Sequence, residues 1–505
     1  MHPAAPAPAR PGRQARPPAS DVPAPAALPW FAGVATAYTV AQLLLVVPDT
    51  GLGWDETVYV SQVAPHTPAA FFSAPRARGV SLLVAPVVAL TDSTDVLRLW
   101  LAVVSGCGLL LALWPWRRLV PVPLAALAGL LFCGLWMTLF YGPQAMPNLW
   151  VAFGALAATG WFLCAVRGPG ADRRALVALA ASVAFTALMR PGDGLSLLLP
   201  LAGAAVCVRS WRRPVVLLAV VGGALAGGAE WVVEAYLHYG GLAARLARAS
   251  QIQGGWGAPL ALDDHMRALE GRALCRPCTI PWRHPVTAVW WFAVPPLTAG
   301  GLLVASRVRR PAVYALPVVV ALSMAVPYQF LDYAAPRFLL PAYGLLALPV
   351  TLCLLRLVTT VEGGPPRLRP VAAAALVMAL LAHLAVQYVV LGRAVARSAA
   401  TDRALGRIVT ELRRQGLRPP CTVTGTEAVR IAFRAGCASR QTDGHDANTT
   451  VARLVADAAR QPVAVVTSDG THPPPYARTW RAASLPALPG EAAGLHARLS
   501  PPTRR

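Results

Sequence analysis

Apolar runs of about 20 residues dominate the chain, separated by short segments rich in arginine or acids. A helix that crosses a bilayer needs roughly 20 consecutive apolar residues. Such runs lie at 28–47, 97–116, 119–141, 148–166, 175–189, 194–208, 214–237, 286–305, 312–331, 338–358 and 370–391. They predict an all-α polytopic membrane bundle of about eleven transmembrane helices. The runs 175–189 and 194–208 are short, and Arg190-Pro191-Gly192-Asp193 between them reads as the turn of a hairpin. A further run, 79–91, has thirteen residues and carries Pro86, which is short for a span.

Charge places that ambiguous run. With 79–91 left out and the N-terminus inside, the arginine-rich loops 116–118, 167–174, 209–213, 306–310 and 367–369 all fall on the cytoplasmic side. Counting it as a span would move every one of them outside. We therefore read 79–91 as a helix lying on the outer leaflet. The outer face then holds the loops 48–96 and 238–285, the short segments 142–147 and 332–337, and the region 392–505. Asp49, Asp55, Glu56, Asp92, Asp95, Asp263, Asp264, Glu270 and Asp332 all lie on that face. The prediction is a multi-pass protein of the bacterial plasma membrane with a cytoplasmic N-terminus and an extracytoplasmic C-terminal domain.

Composition supports this and narrows it. Of 505 residues, 56% are hydrophobic and 13% charged, whereas soluble chains carry about 25% charged residues. An ordinary soluble enzyme and a disordered protein are both excluded. The formal net charge is +22, and every basic residue is arginine. With abundant Ala, Pro and Gly, that reflects a GC-rich coding bias, so no nucleic-acid partner is inferred. Residues 1–27 are Pro, Ala and Arg with little to bury and read as a disordered cytoplasmic tail. Region 392–505 is polar. Helical patterns at 399–416, 427–435 and 449–461 alternate with β-rich stretches at 421–426 and 462–470, predicting a small α/β domain with a parallel sheet.

The nine cysteines divide in the same way. Cys107, Cys133, Cys164, Cys207 and Cys353 lie inside apolar runs. Cys275, Cys278, Cys421 and Cys437 lie in outer segments, where oxidation permits disulfides. Cys421 with Cys437 is the better pair; Cys275 with Cys278 is a CxxC that forms a small ring or a redox pair. No second CxxC or histidine pair at ligand spacing accompanies either, so no metal site is assigned. No cofactor is called for, and a divalent metal has no support.

The first outer loop, GLGWDETVYVSQVAPHTPAAFFSAPRARGVSLL at 51–83, carries the strongest chemistry. The pair Asp55-Glu56 follows the first span, Tyr59 comes one helical turn later, and Arg76 and Arg78 precede the interfacial run. A carboxylate at the membrane surface can take a proton from an acceptor hydroxyl. Arginines beside it can hold a phosphate bidentately. Three further segments stand in order behind this loop: VLRLWLAVVSG at 96–106, QAMPNLWVAFGALA at 144–157 and APRFLLPAYGLLAL at 335–348.

Together these resemble the polytopic glycosyltransferases of the GT-C class, nearest to protein O-mannosyltransferases and lipid A aminoarabinose transferases (glycosyltransferase family 39-like), over roughly 28–391. The resemblance implies sugar transfer from a polyprenyl-phosphate-linked donor to an extracytoplasmic glycan, lipid or protein. Asp55 would be the catalytic base and Glu56 its support. Arg337 would be a phosphate ligand, with Arg76, Arg78 and Tyr59 on the donor side. Gln144 and Asn148 would line the second outer loop, and Asn148 stands where the family usually has an acid. The alternative is a non-catalytic transporter or an assembly partner in envelope biosynthesis.

Other features read as structure. Gly223-x-x-x-Gly227 is a small-residue helix contact. His383 is a packing residue in a span, and Trp282, Trp290 and Trp291 suit an interfacial belt. Glu230 and Glu234, one turn apart, suit either a solvated face or a functional site.

Overall fold

The structure, a computed structural model, describes residues 24–505 except 169, 171, 256–259, 273, 276–277, 279–280, 490–493 and 502–505. Residues 1–23, most of the expected tail, lie outside the described residues, and residues 24–27 already belong to the first helix.

The chain opens with α1 (Ala24–Leu45), followed by the short α2 (Trp54–Ser61) and α3 (Gly79–Val88). Next come α4 (Thr94–Leu113), α5 (Val122–Cys133), α6 (Trp136–Tyr141), α7 (Pro147–Arg167), α8 (Arg173–Met189), α9 (Pro191–Cys207) and α10 (Pro214–His238). The second long loop carries α11 (Leu242–Ile252) and α12 (Leu262–Ala268). The bundle closes with α13 (Val289–Arg307), α14 (Pro311–Ala325), α15 (Leu340–Glu362) and α16 (Arg369–Arg414). Among the described residues, eight helices are long and apolar enough to cross a membrane. The chain is a multi-pass membrane protein.

The three remaining candidate spans are shorter helices. The run 119–141 divides at Gly134, where α5 stops and Leu135 turns extended. The amide of Trp136, freed by the break, donates to the Gln387 side chain of α16 at 3.0 Å. A broken helix at membrane depth is tolerated only when such groups find partners. The short runs become α8 and α9, with Asp172 capping α8 through the amides of Arg174 and Ala175. Helix α10 lies directly on α8: a Cβ at Gly223 would come 2.5 Å from the carbonyl oxygen of Ala180, and one at Gly227 2.0 Å from that of Ala184. The GxxxG contact is therefore real. Helix α3 has ten residues, about 15 Å of helix and half the hydrocarbon thickness.

The arginine loops gather at one end of the bundle. Arg118 pairs with Asp172 at 2.9 Å, Arg213 donates to Ala165 O at 3.1 Å, and Arg310 to Leu119 O at 3.3 Å. The acid-bearing loops gather at the other.

Helix α16 runs 46 residues without interruption. The change in composition at 391/392 falls inside it. Its apolar first half is largely exposed and meets the bundle through Gln387, Val390 and Leu391, and Leu405, Ile408, Val409 and Leu412 of its second half enter the core of the C-terminal unit. That unit continues with β1 (Thr422–Gly425), α17 (Ala428–Ala435), β2 (Ala438–Ser439), α18 (Val451–Ala458), β3 (Val463–Ser468), β4 (Arg481–Leu485) and β5 (Leu495–Leu499). The sheet order is β2-β1-β3-β5-β4. The strands β2, β1 and β3 are parallel as expected, but β5 and β4 add antiparallel, so the sheet is mixed. Helix α17 packs on α2, and its Val429 and Phe433 join the bundle's own core. The Cys421–Cys437 disulfide ties β1 to the end of α17, and Cys275–Cys278 closes within the long loop that carries α11 and α12.

Candidate active site

Asp55 and Glu56 open α2, where their charges suit the helix N-terminus. Consecutive residues on a helix point about 100° apart, so the two carboxylates separate. Glu56 turns inward. One of its oxygens accepts from the Gly53 amide at 2.8 Å, the other from the Ala145 amide at 2.7 Å. Both also meet the guanidinium of Arg98, at 2.5 and 2.9 Å. Arg98 spends its remaining donors on the carbonyls of Thr50, Gly51 and Pro143. The pair is fully enclosed, and its hydrogen bonds satisfy both ions, the condition under which a buried ion pair holds. Three of the quoted segments, around 55, 98 and 145, are thus bolted together by Glu56. It has no free oxygen for proton transfer.

Asp55 stays on the open side, its side chain 35% exposed. Arg76 donates to one oxygen at 2.7 Å and Arg337 to the other at 3.1 Å. Burial alone would raise the Asp55 carboxyl, but Arg76, Arg337 and, at longer range, Arg190 outweigh it and hold it below the usual carboxylate range. Arg76 stays charged: burial works against it, and Asp55, Tyr59 and Asp446 of the C-terminal unit prevail. Arg76 is braced by Ser73 and lies 6.0 Å from the centroid of the Tyr59 ring. Tyr59 is walled in by Phe72, edge to face at 5.9 Å, and burial pushes its phenol up against the opposing pull of Arg76. Arg337 sits just before α15 with its guanidinium 5.8 Å from the Tyr141 ring.

Arg78 is placed elsewhere. It pairs with Glu234 at 2.6 Å, reaches Gln62 at 3.1 Å and lies over Phe72. Gln144 and Asn148 are buried where the second loop enters α7, beside the Ala145 amide that Glu56 grips.

Arg190, in the turn between α8 and α9, belongs to this site and was read from sequence only as a hairpin turn. Its guanidinium lies 5.2 Å from the Tyr328 ring and 5.5 Å from Phe338, the residue after Arg337. Arg337 is 5.4 Å from the same Phe338 ring. Tyr328 donates to Asp193 at 2.6 Å and stacks on Phe338, which fixes the turn. The signal in the sequence was an arginine at the acid-bearing end of the bundle.

Two guanidiniums on one carboxylate, with Arg190 at longer range and paired to Asp193 at 3.7 Å, make the site cationic and partly exposed. That donor set repels a divalent cation, and among the described residues no three His, Cys, Asp or Glu side chains group as metal ligands. Of the other polar candidates, Asp263 pairs with Arg267 at 2.7 Å, and His265 is buried against the carbonyl of Tyr328, burial lowering its imidazole to about 4. His383 packs edge to face on Trp290.

The C-terminal unit reaches this end of the bundle. Asp402 lies so close to Gly51 that a Cβ there would meet its carboxylate oxygen at 1.8 Å, and Arg434 of α17 clasps the same carboxylate at 2.7 and 3.0 Å.

In sequence, no family profile and no curated protein matches the chain. In structure it is similar to crystal structures of ArnT from Cupriavidus metallidurans. The form bound to undecaprenyl phosphate aligns with a TM-score of 0.65 at 15% identity, over 95% of this chain and 99% of that one. The apo form aligns at 0.61 and 14% identity, over 94% and 98%. The archaeal oligosaccharyltransferase AglB from Archaeoglobus fulgidus, in complex with an inhibitory peptide and a dolichol-phosphate, aligns at 0.50 and 15% identity, over 86% of this chain and 69% of that one. These are GT-C glycosyltransferases, and the polytopic bundle with its small C-terminal sheet has the GT-C fold.

Proposed function

We propose that this protein transfers a sugar from a polyprenyl-phosphate-linked donor to an acceptor hydroxyl on the outer face of the plasma membrane. The observation that carries this reading is the pairing of a partly exposed Asp55 with Arg76 and Arg337. A carboxylate and several arginines are what a direct displacement at a glycosyl phosphate requires. The acceptor oxygen attacks the anomeric carbon, the bond to the phosphate oxygen breaks, and its electron pair leaves with the polyprenyl phosphate. The acceptor proton passes to Asp55. Arg76, Arg190 and Arg337 neutralise the leaving group.

In the free protein Asp55 occupies two of those arginines. An arriving phosphate competes for them, and as they turn to it the carboxylate regains its basicity. Binding of the donor thereby readies the base. An apolar cavity of about 440 Å³, among α5, α13, α15 and α16, suits part of an isoprenoid chain. Undecaprenyl phosphate and dolichol-phosphate are the lipids held by the two structural neighbours. The acceptor is an extracytoplasmic glycan, lipid or protein, and the C-terminal unit beside Gly51 is placed to help select it.

The test is sugar transfer in membranes carrying the wild type or Asp55→Asn, with polyprenyl-phosphate sugars as donors and native envelope extract as acceptor. Transfer by the wild type, lost in a variant that still accumulates, is expected. Equal transfer by both removes Asp55 from the mechanism.

A further inference from the structure

A second charge network lies behind the site. Residues 72–78, between α2 and α3, form irregular chain, and Arg76 projects from it. Three carbonyls of this segment are gripped from one side. Tyr239 donates to Phe72 O at 2.6 Å, and Trp231 Nε1 to Ala74 O at 3.1 Å. Arg245 of α11 donates to Ala74 O through Nε and to Arg76 O through Nη2, each at 3.0 Å. The same guanidinium donates to Trp231 O at 2.6 Å and to Glu234 at 2.8 Å. It lies 4.4 Å from the Trp231 ring centroid and 4.7 Å from that of Tyr239. The Arg245 side chain is 0% exposed.

Burying a guanidinium so completely is costly unless its donors are satisfied. Here they are satisfied by Glu234 and by carbonyls, two of which bracket Arg76. The other oxygen of Glu234 takes Arg78. The network makes no contact with Asp55, yet it decides where the Arg76 backbone lies, and Arg76 reaches Asp55 at 2.7 Å.

We propose that Arg245, held by Glu234, is a positioning residue of the donor site: it fixes the 72–78 segment so that Arg76 meets Asp55 and the incoming phosphate. This rests on the transfer reaction proposed above.

The experiment is the pH dependence of kcat/KM for a polyprenyl-phosphate sugar in the full-length protein, for wild type, Arg245→Met, Arg76→Gln and the double variant. With Arg76 displaced, Asp55 loses the nearer of its two cationic partners. The acid limb of the profile then moves to higher pH, as it does in Arg76→Gln. The expected loss in kcat/KM at neutral pH is roughly 10- to 100-fold. The double variant shifts the limb no further than Arg76→Gln alone. If Arg245→Met does not accumulate, Arg245→Lys carries the same test, because an ammonium keeps the charge beside Glu234 but cannot reach the carbonyls of Ala74, Arg76 and Trp231 together. A variant that accumulates with the wild-type limb, whatever its rate, overturns the proposal, since a merely structural role lowers activity at every pH alike. A wild type that transfers no sugar from any donor instead overturns the reading of the site itself, and the positioning role falls with it.

Discussion

Glu56 and Arg98 meet end-on, through Nη1 and Nη2, with side chains 3% and 1% exposed, and they join the first outer loop to α4 and to the second outer loop. Breaking a buried pair by removing one partner costs about 3–5 kcal/mol, because the other ion is left uncompensated. Arg98→Met and Glu56→Gln are therefore expected to lower the thermal midpoint in detergent and reduce accumulation. A Glu56→Gln protein that keeps its stability and loses only turnover would assign Glu56 a chemical role instead.

Arg190 and Arg337 share the Phe338 ring from different elements. Hydrogen bonds to charged groups contribute about 1.5–3 kcal/mol. Arg337→Gln and Arg190→Gln are each expected to raise KM for the lipid-linked donor about tenfold to a hundredfold, with a smaller effect on acceptor KM. Arg78→Gln, which sits with Glu234, is expected to change donor KM much less. Steady-state kinetics with both substrates varied separates the three.

The pH dependence has a definite sign. Arg76 and Arg337 hold Asp55 ionised in the free protein, overcoming burial. The acid limb of kcat/KM, which reports the free enzyme, is expected below the ordinary carboxylate range. The limb of kcat, which reports the donor-bound enzyme, is expected at higher pH, because the arginines have turned to the phosphate. Coincident limbs would contradict the exchange of partners. By the same linkage the pairing stabilises the fold above the unfolded carboxyl pKa, and that contribution fades as pH falls through the lower folded value.

Helix α10 touches α8 through glycine. Gly227→Leu must drive four heavy atoms into the Ala184 backbone, 2.0 Å from a Cβ position. Loss of the folded protein from the membrane is the expected outcome, read by accumulation and by size-exclusion profile. Gly228→Ala, where no atom lies within 4 Å of the added carbon, is expected to behave as wild type.

Much of this was legible in the sequence, and the failures have physical reasons. Asp55-Glu56 stood out because acids are rare in so apolar a chain. Which of the two stays exposed depended on helix rotation and on Arg98, which carried no mark beyond its place in VLRLW. Arg76 and Arg78 were equivalent in sequence; the irregular backbone between α2 and α3 sends one to Asp55 and the other to Glu234. Arg190 was hidden because a turn motif explained it locally, whereas its partners Tyr328 and Phe338 lie far along the chain. The continuity of α16 was invisible because composition changes at 391/392 while the helix does not. That continuity also bears on experiment: removing 392–505 would cut a helix and uncover Val429 and Phe433's partners in the bundle. The strands β4 and β5 were missed for different reasons: RAASL has little apolar alternation, and LHARL alternates strictly but over only five residues.

The most direct test pairs binding with transfer in purified wild type and Asp55→Asn. The account predicts that Asp55→Asn binds undecaprenyl phosphate at least as tightly as wild type, since no carboxylate competes for Arg76 and Arg337, while sugar transfer is lost. An Asp55→Asn protein that transfers sugar at the wild-type rate would contradict it.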